Sequence, residues 1–196
     1  MLKRIARWAI RRFDAFLRHC RGIWEFSQDE GCILRLGRRR CRRAVRLSDG
    51  PVLHPGASIL EIHLWNERVP PMPLDGADAA WGIRFVRRWS YSMGLLADYW
   101  RDNPDLADVR ALHAVFAIPG GERSAMQERT LEKMGFEVTR PARTPWRVFA
   151  HFWENLYNWA ILWTYQPASL RVRNVLRMER CHLWMARERV AARYRR

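Results

Sequence analysis

Between residues 2 and 26 apolar side chains recur every three to four positions. Leu2, Ile5, Ala9, Phe13, Phe16, Leu17, Cys20, Ile23 and Trp24 fall on one stripe, and Lys3, Arg4, Arg7, Arg11, Arg18 and Arg21 on the opposite side. The spacing predicts an amphipathic helix with a cationic polar face. Two placements follow. Either the stripe docks on a core and the arginines are solvated, or part of the helix lies in a membrane interface, as basic helices bearing Trp and Phe do. The two are compatible if the first turns project beyond the core.

Residues 31–69 change period and read as β. Segments 32–36 and 41–47 flank a polar Gly37-Arg38-Arg39-Arg40 link, which predicts a hairpin. Ser48-Asp49-Gly50 and His54-Pro55-Gly56 are turn signals. In 59–65, Leu60, Ile62 and Leu64 alternate with Glu61, His63 and Trp65, the pattern of a strand with one face in the core. Pro70, Pro71 and Pro73 then impose an extended link.

A second helix is predicted from an Asp78 N-cap to near Arg101, ahead of Asn103-Pro104. Trp81, Phe85, Trp89, Leu96 and Tyr99 share its inner side, while Arg84, Arg87, Arg88 and Tyr91 form a polar strip. Residues 109–118 read as a strand, Pro119-Gly120-Gly121 as a turn and 122–134 as a third helix closed by Gly135. Phe136-Glu137-Val138 reads as a short strand. Residues 146–165 are the most aromatic stretch, bracketed by Pro145 and Pro167, with Arg147, His151, Glu154, Asn155 and Asn158 on a narrow polar face. Its wide apolar face belongs in the core or against something greasy beside it. An Arg-rich tail follows, around a short apolar Leu183-Trp184-Met185.

Together these elements predict one α+β domain. A basic amphipathic helix occupies 1–30, and 31–196 hold a mostly antiparallel sheet with packed helices, a Trp-rich C-terminal helix and the Arg-rich tail. Amphipathic aromatic helices thus stand at both ends. The 196 residues suit a single core. No uncharged apolar run reaches the length of a spanning helix, and Arg4, Arg7, Arg11 and Arg12 break up any secretory apolar region. Cys20, Cys32, Cys41 and Cys181 show no paired or zinc-type spacing and read as reduced thiols. The expected location is therefore cytoplasmic.

Charge narrows the partners. Lys and Arg number 35 against 20 Asp and Glu, a net charge of +15, and only Lys3 and Lys133 are lysines. Arginine matches phosphate oxygens in pairs, and the 11 tryptophans suit an interface that is apolar on one side and wet on the other. Arg35, Arg38, Arg39, Arg40, Arg42, Arg43 and Arg46 crowd one segment, so a partner there is anionic. Cationic faces paired with aromatic helices at both ends favour lipid over nucleic acid, for which no recognition motif is present.

The densest candidate chemistry is Glu61-Ile62-His63-Leu64-Trp65-Asn66-Glu67. On a strand Glu61 and His63 share a face about 7 Å apart. A carboxylate beside an imidazole can fix its tautomer for acid-base work, bind a polar ligand, or simply form a surface pair. Even with His54 nearby, the segment lacks a third well-spaced metal ligand. No GxSxG elbow, Walker loop or GxGxxG fingerprint is present.

Cys32-Ile33-Leu34-Arg35, Leu47-Ser48-Asp49-Gly50, Gly56, the 61–67 segment, Arg84, Ser92, Gly135-Phe136 and Leu183-Trp184-Met185-Ala186-Arg187 resemble the YkoP-like family over most of residues 12–190. In that family the domain occurs alone or joined to polysaccharide-deacetylase-like domains, which implies a cell-envelope setting, and it has no assigned activity. Nothing here matches a deacetylase domain. Residues 131–138, Leu131-Glu132-Lys133-Met134-Gly135-Phe136-Glu137-Val138, are also similar to the closing part of GNAT acyltransferases, although Pro119-Gly120-Gly121-Glu122-Arg123 lacks their phosphate-loop spacing.

The resulting expectation is a peripheral protein of the inner membrane surface acting on or with anionic lipid or envelope intermediates, with envelope-biosynthesis enzymes as further partners. Glu61 and His63 are the catalytic candidates. Asn66 and Glu67 complete a polar pocket, with Arg84, Arg88 and Arg187 as anion partners. Arg4, Arg7, Trp8, Arg11, Trp153 and Trp159 contact the membrane. No cofactor or metal is assigned. The alternative is a GNAT-like acyl- or other group-transfer enzyme with Glu61 or His63 as general base, and the third reading is nucleic-acid binding.

Overall fold

The computed structural model describes all residues except 49, 51, 119–121, 142–143, 173, 176–177 and 195–196, with backbone only at 122–124 and 172. Helix α1 (Leu2–Cys20) leads through Gly22, whose φ is +53°, into a short edge strand β1 (Ile23–Trp24). Then come β2 (Leu34–Arg40), a small hairpin of β3 (Val45–Arg46) and β4 (Val52–Leu53), and β5 (Ser58–Leu64). Helix α2 (Ala79–Asp102) precedes β6 (Ala111–Ile118), α3 (Glu122–Lys133) and β7 (Glu137–Thr139). The chain closes with α4 (Pro145–Tyr165), α5 (Ser169–Val172), β8 (Glu179–Ala186) and α6 (Arg187–Tyr194).

Six strands form one sheet in the order β1-β2-β5-β6-β8-β7. Every pairing is antiparallel except β5 with β6, where α2 supplies the crossover a parallel pair needs. The fold is α+β, as the pattern predicts. Alternation sorts the two faces. Leu34, Leu36, Leu60, Ile62, Leu112, Leu183 and Met185 point to one side, where Trp89, Met93, Leu96 and Trp100 of α2 and Val190 of α6 cover them. Asp78 caps α2 by accepting from the Trp81 N–H at 2.6 Å. Buried Ser92 then ties α2 to the sheet entrance by accepting from the Ile33 N–H at 2.9 Å. Gly135, with φ +95°, ends α3 by donating to the Glu132 carbonyl.

Four expectations need correcting. The Gly37–Arg40 link is not a turn but the second half of β2, paired residue by residue with 58–61 of β5. Strand extension there is favoured because acidic groups meet the arginines: Arg38 reaches Asp108 at 2.6 Å and Arg39 reaches Glu61 at 3.3 Å. The hairpin lies one step later, Val45–Arg46 against Val52–Leu53, and the turn at Asp49 falls outside the described residues, as does 119–121. Next, the amphipathic helix predicted over 2–26 ends at Cys20, with Ile23 and Trp24 in β1, and the Arg-rich tail supplies β8 between β6 and β7. Its Cys181, Leu183 and Met185 alternate into the core while Arg180 and His182 take the other face.

The fourth correction concerns the terminal helices. The apolar stripe of α1 does not dock on the core: Leu2, Ile5, Trp8, Phe13 and Phe16 are exposed, Trp8 by 63%. Helix α4 is likewise turned outward, exposing Trp146, Phe149, Phe152, Trp153 and Trp159. Between them Asp14, Arg7 and Arg18 of α1 turn towards α4. The Tyr157 hydroxyl donates to buried Asp14 at 2.5 Å, and Arg18 pairs with the other Asp14 oxygen at 3.2 Å. Arg7 and Arg11 lie over the rings of Trp163 and Tyr165, which draws half-buried Arg7 into the seam while Arg11 stays exposed. On the sheet side, Asn155 is buried and donates to the Met178 carbonyl while accepting from Arg180.

Candidate functional site

The second face of the sheet carries the polar groups. Hairpin β3–β4 covers one end of it over Ile59, Ala111 and Trp184. Beside that cover a polar row crosses the strands, from Arg35 of β2 through His63 and Glu61 of β5 and His113 of β6 to His182 of β8. Register makes the row: Arg35 lies opposite His63, Glu61 opposite His113, and His182 opposite Val115, two residues beyond His113 on the same face.

Glu61 is its hub. One carboxylate oxygen lies 3.2 Å from His63 Nε2 and 3.3 Å from Arg39 Nε, and the other 3.4 Å from His113 Nδ1. The His63 contact falls outside hydrogen-bond geometry. Burial alone would push the Glu61 carboxyl up, but His113 and His63 hold it well below the usual carboxylate range. His113, nearly buried, continues the row through Nε2, 2.9 Å from Nδ1 of His182, and its ring packs on Trp184 with centroids 4.3 Å apart. Burial pushes His182 down to about 4, helped by the charges of His113, Arg43 and Arg147, so its imidazole is neutral at pH 7.

His113 thus bridges the Glu61 carboxylate at Nδ1 and His182 at Nε2. Among the described residues no group of three or more His, Cys, Asp or Glu side chains is arranged to hold a metal ion. Burial pushes the Cys181 thiol up to about 11, which suits a packing role.

The sequence-predicted residues separate into three places. Glu61 and His63 meet on the sheet. Glu67 turns to Arg35 at 3.3 Å and, with Arg84 and Arg88, lines an open cleft of about 740 Å³ beside Pro70 and Pro71. Asn66 is half-buried in the turn between these two places. Trp65, between them, has the guanidinium groups of Arg35 and Arg68 over its ring, 4.3 and 3.5 Å from the centroid. Arg187 joins neither group: it donates to the carbonyls of Trp100, Leu106 and Ala107 and fastens the end of α2. His113 and His182 escaped the sequence reading, although each is a lone histidine inside an apolar strand, a placement that signals a buried polar partner.

No curated protein and no solved structure matches this chain. A family comparison, in contrast, matches residues 3–194 to the YkoP domain. That span takes in both aromatic helices and the whole polar row, and the chain belongs to the YkoP domain family.

Proposed function

We propose that this protein works at the surface of an anionic membrane, lying on it through α1 and α4, and acts there on or with lipid or envelope intermediates. The observation that carries the reading is the outward turn of both aromatic faces. Folded proteins rarely leave large apolar patches in water unless something covers them. Charge selects the cover. Around the α1 stripe stand exposed Lys3, Arg4, Arg11 and Arg12, and the one acid of that helix, Asp14, is buried in the seam. Neither helix has an acidic residue in its first turn.

The magnitudes are sufficient. Each half-exposed Trp or Phe that leaves water contributes on the order of 1 kcal/mol, and each arginine near an anionic leaflet adds about 1 kcal/mol. No helix among the described residues is long and apolar enough to cross a membrane, so contact is lateral. The four cysteines are free, which fits the reducing side of that membrane.

Co-sedimentation with phosphatidylglycerol and phosphatidylcholine vesicles in rising salt, with excess DNA in one arm, tests the reading. Binding that requires the anionic lipid and survives DNA supports it. Absence of binding, or loss to DNA, refutes it, and a stable dimer in place of vesicle binding would show that a second copy covers these faces.

A further inference from the structure

We propose that the cleft between α2 and the 68–71 segment binds a phosphate monoester or diphosphate through Arg68, Arg84, Arg87 and Arg88. The inference names a ligand class for that cleft and does not depend on membrane docking.

The fold fixes the walls of the cleft. Val69, Pro70 and Pro71 form its apolar side, and that side is pinned from two helices. The Trp81 indole of α2 donates to the Pro70 carbonyl at 2.9 Å. Gln166, which caps α4, donates to the Val69 carbonyl at 3.0 Å and accepts from the Met72 N–H at 3.1 Å. Arg88 ties α2 across the cleft, donating to the carbonyls of Arg68 and Glu30 at 3.2 and 3.4 Å. Arg68 lies over the Trp65 ring and donates to the Asp29 carbonyl. A carbonyl orients a guanidinium without cancelling its charge, so these contacts leave Arg68 and Arg88 positioned and cationic.

Charge sets the place apart. Elsewhere in the fold arginines meet carboxylates: Arg35 meets Glu25 and Glu67, Arg38 meets Asp108, and Arg101 meets Asp98 and Asp102. Arg84 and Arg87, by contrast, have no hydrogen-bond, ion-pair or ring partner among the described residues. Arg84 stands three and four positions before Arg87 and Arg88, so the three share one side of α2, where like charges repel. The acids of that helix, Asp98 and Asp102, lie towards its far end. Four arginines and two glutamates line the cleft, a surplus of two positive charges, and Glu67 is already engaged by Arg35.

The ligand class follows from this surplus. A carboxylate brings one charge and a pair of oxygens, which a single guanidinium fork satisfies. A phosphate monoester brings a charge of about −2 and three acceptor oxygens, enough to engage the free Arg84 and Arg87 together with an anchored arginine. The volume of about 740 Å³ accommodates a phosphate or diphosphate with part of its stem against Pro70 and Pro71.

Isothermal titration calorimetry of this chain with pyrophosphate and with glycerol phosphate, at matched ionic strength, tests the assignment. Both should saturate, and acetate at the same concentration should not compete. Arg84→Gln combined with Arg87→Gln should weaken pyrophosphate binding by about 10-fold or more. Both side chains are exposed, and an unchanged urea midpoint checks that the variant is folded. Arg42→Gln combined with Arg43→Gln removes the same charge from exposed residues outside the cleft and should leave the affinity unchanged. Displacement of pyrophosphate by phosphatidic acid in phosphatidylcholine vesicles, but not by phosphatidylcholine alone, supports the site and identifies a lipid headgroup as the source. Displacement by glycerol phosphate alone supports the site and identifies a soluble ester. The proposal is overturned if neither soluble phosphate saturates, if acetate competes equally, or if the two double variants lose the same affinity. The titrations need no vesicle, so failure of membrane binding and failure of the cleft are read separately.

Discussion

Replacing Tyr157 with Phe removes one hydroxyl and leaves Asp14, 6% exposed, without its shortest hydrogen bond. The seam between α1 and α4 holds a buried charge, so part of its strength rests on keeping that charge satisfied. Burial and the Asp14 charge push the Tyr157 hydroxyl well up, which keeps it a donor at every physiological pH. A hydrogen bond to a charged group contributes about 1.5 to 3 kcal/mol, and about 1.4 kcal/mol is a factor of ten in an opening equilibrium. Tyr157→Phe should therefore speed hydrogen exchange at the amides of residues 14–18 by about 10- to 100-fold, with β6 and β8 as unaffected references. Asp14→Leu combined with Tyr157→Phe should exchange more slowly than Tyr157→Phe alone, because the stranded carboxylate is gone. Unchanged exchange in Tyr157→Phe, or a double variant that is the sum of the two singles, would refute the polar seam.

Two further expectations come from the sheet. His182 titrates near 4 in the folded protein against an ordinary 6.5, so below pH 6.5 the unfolded chain takes a proton that the folded one refuses. Stability should fall from pH 6.5 towards 4 by at most about 3 kcal/mol, less with solvent screening of this half-buried ring. Urea midpoints at pH 7 and pH 5 measure it, and His182→Asn should flatten the slope. Glu61, held ionised, adds a second loss as pH falls below its ordinary 4.5. Arg187→Met should cost about 2 to 3 kcal/mol in urea unfolding, since it strands the carbonyls of Trp100, Leu106 and Ala107. The same variant should bind vesicles as the parent does, because Arg187 fastens α2 and faces no ligand.

Sequence pattern carries the parts of this fold that are governed locally. Asp78 ahead of a 3.6-residue period places α2, and strict alternation in 59–65 places β5 with Glu61 and His63 on its polar side. The pattern misleads where partners are remote. A run of arginines reads as a solvated turn until Asp108 and Glu61 come from other strands to meet it. Amphipathicity in α1 and α4 is plain, but it does not say which side faces the protein, and the buried Asp14–Tyr157 contact that joins them spans most of the chain length. His113 and His182 join Glu61 only because β8 inserts beside β6, and its alternation was hidden among arginines.

The central claim is that the aromatic faces of α1 and α4 enter the lipid interface. Tryptophan quenching by phosphatidylglycerol brominated on its acyl chains tests it most directly. The parent protein is compared with a variant carrying Trp8→Ser, Trp153→Ser and Trp159→Ser, three residues exposed by 63%, 54% and 39%. Quenching that is strong in the parent and largely lost in the folded variant is the predicted result. Quenching that is absent in the parent, or equal in both, would contradict it.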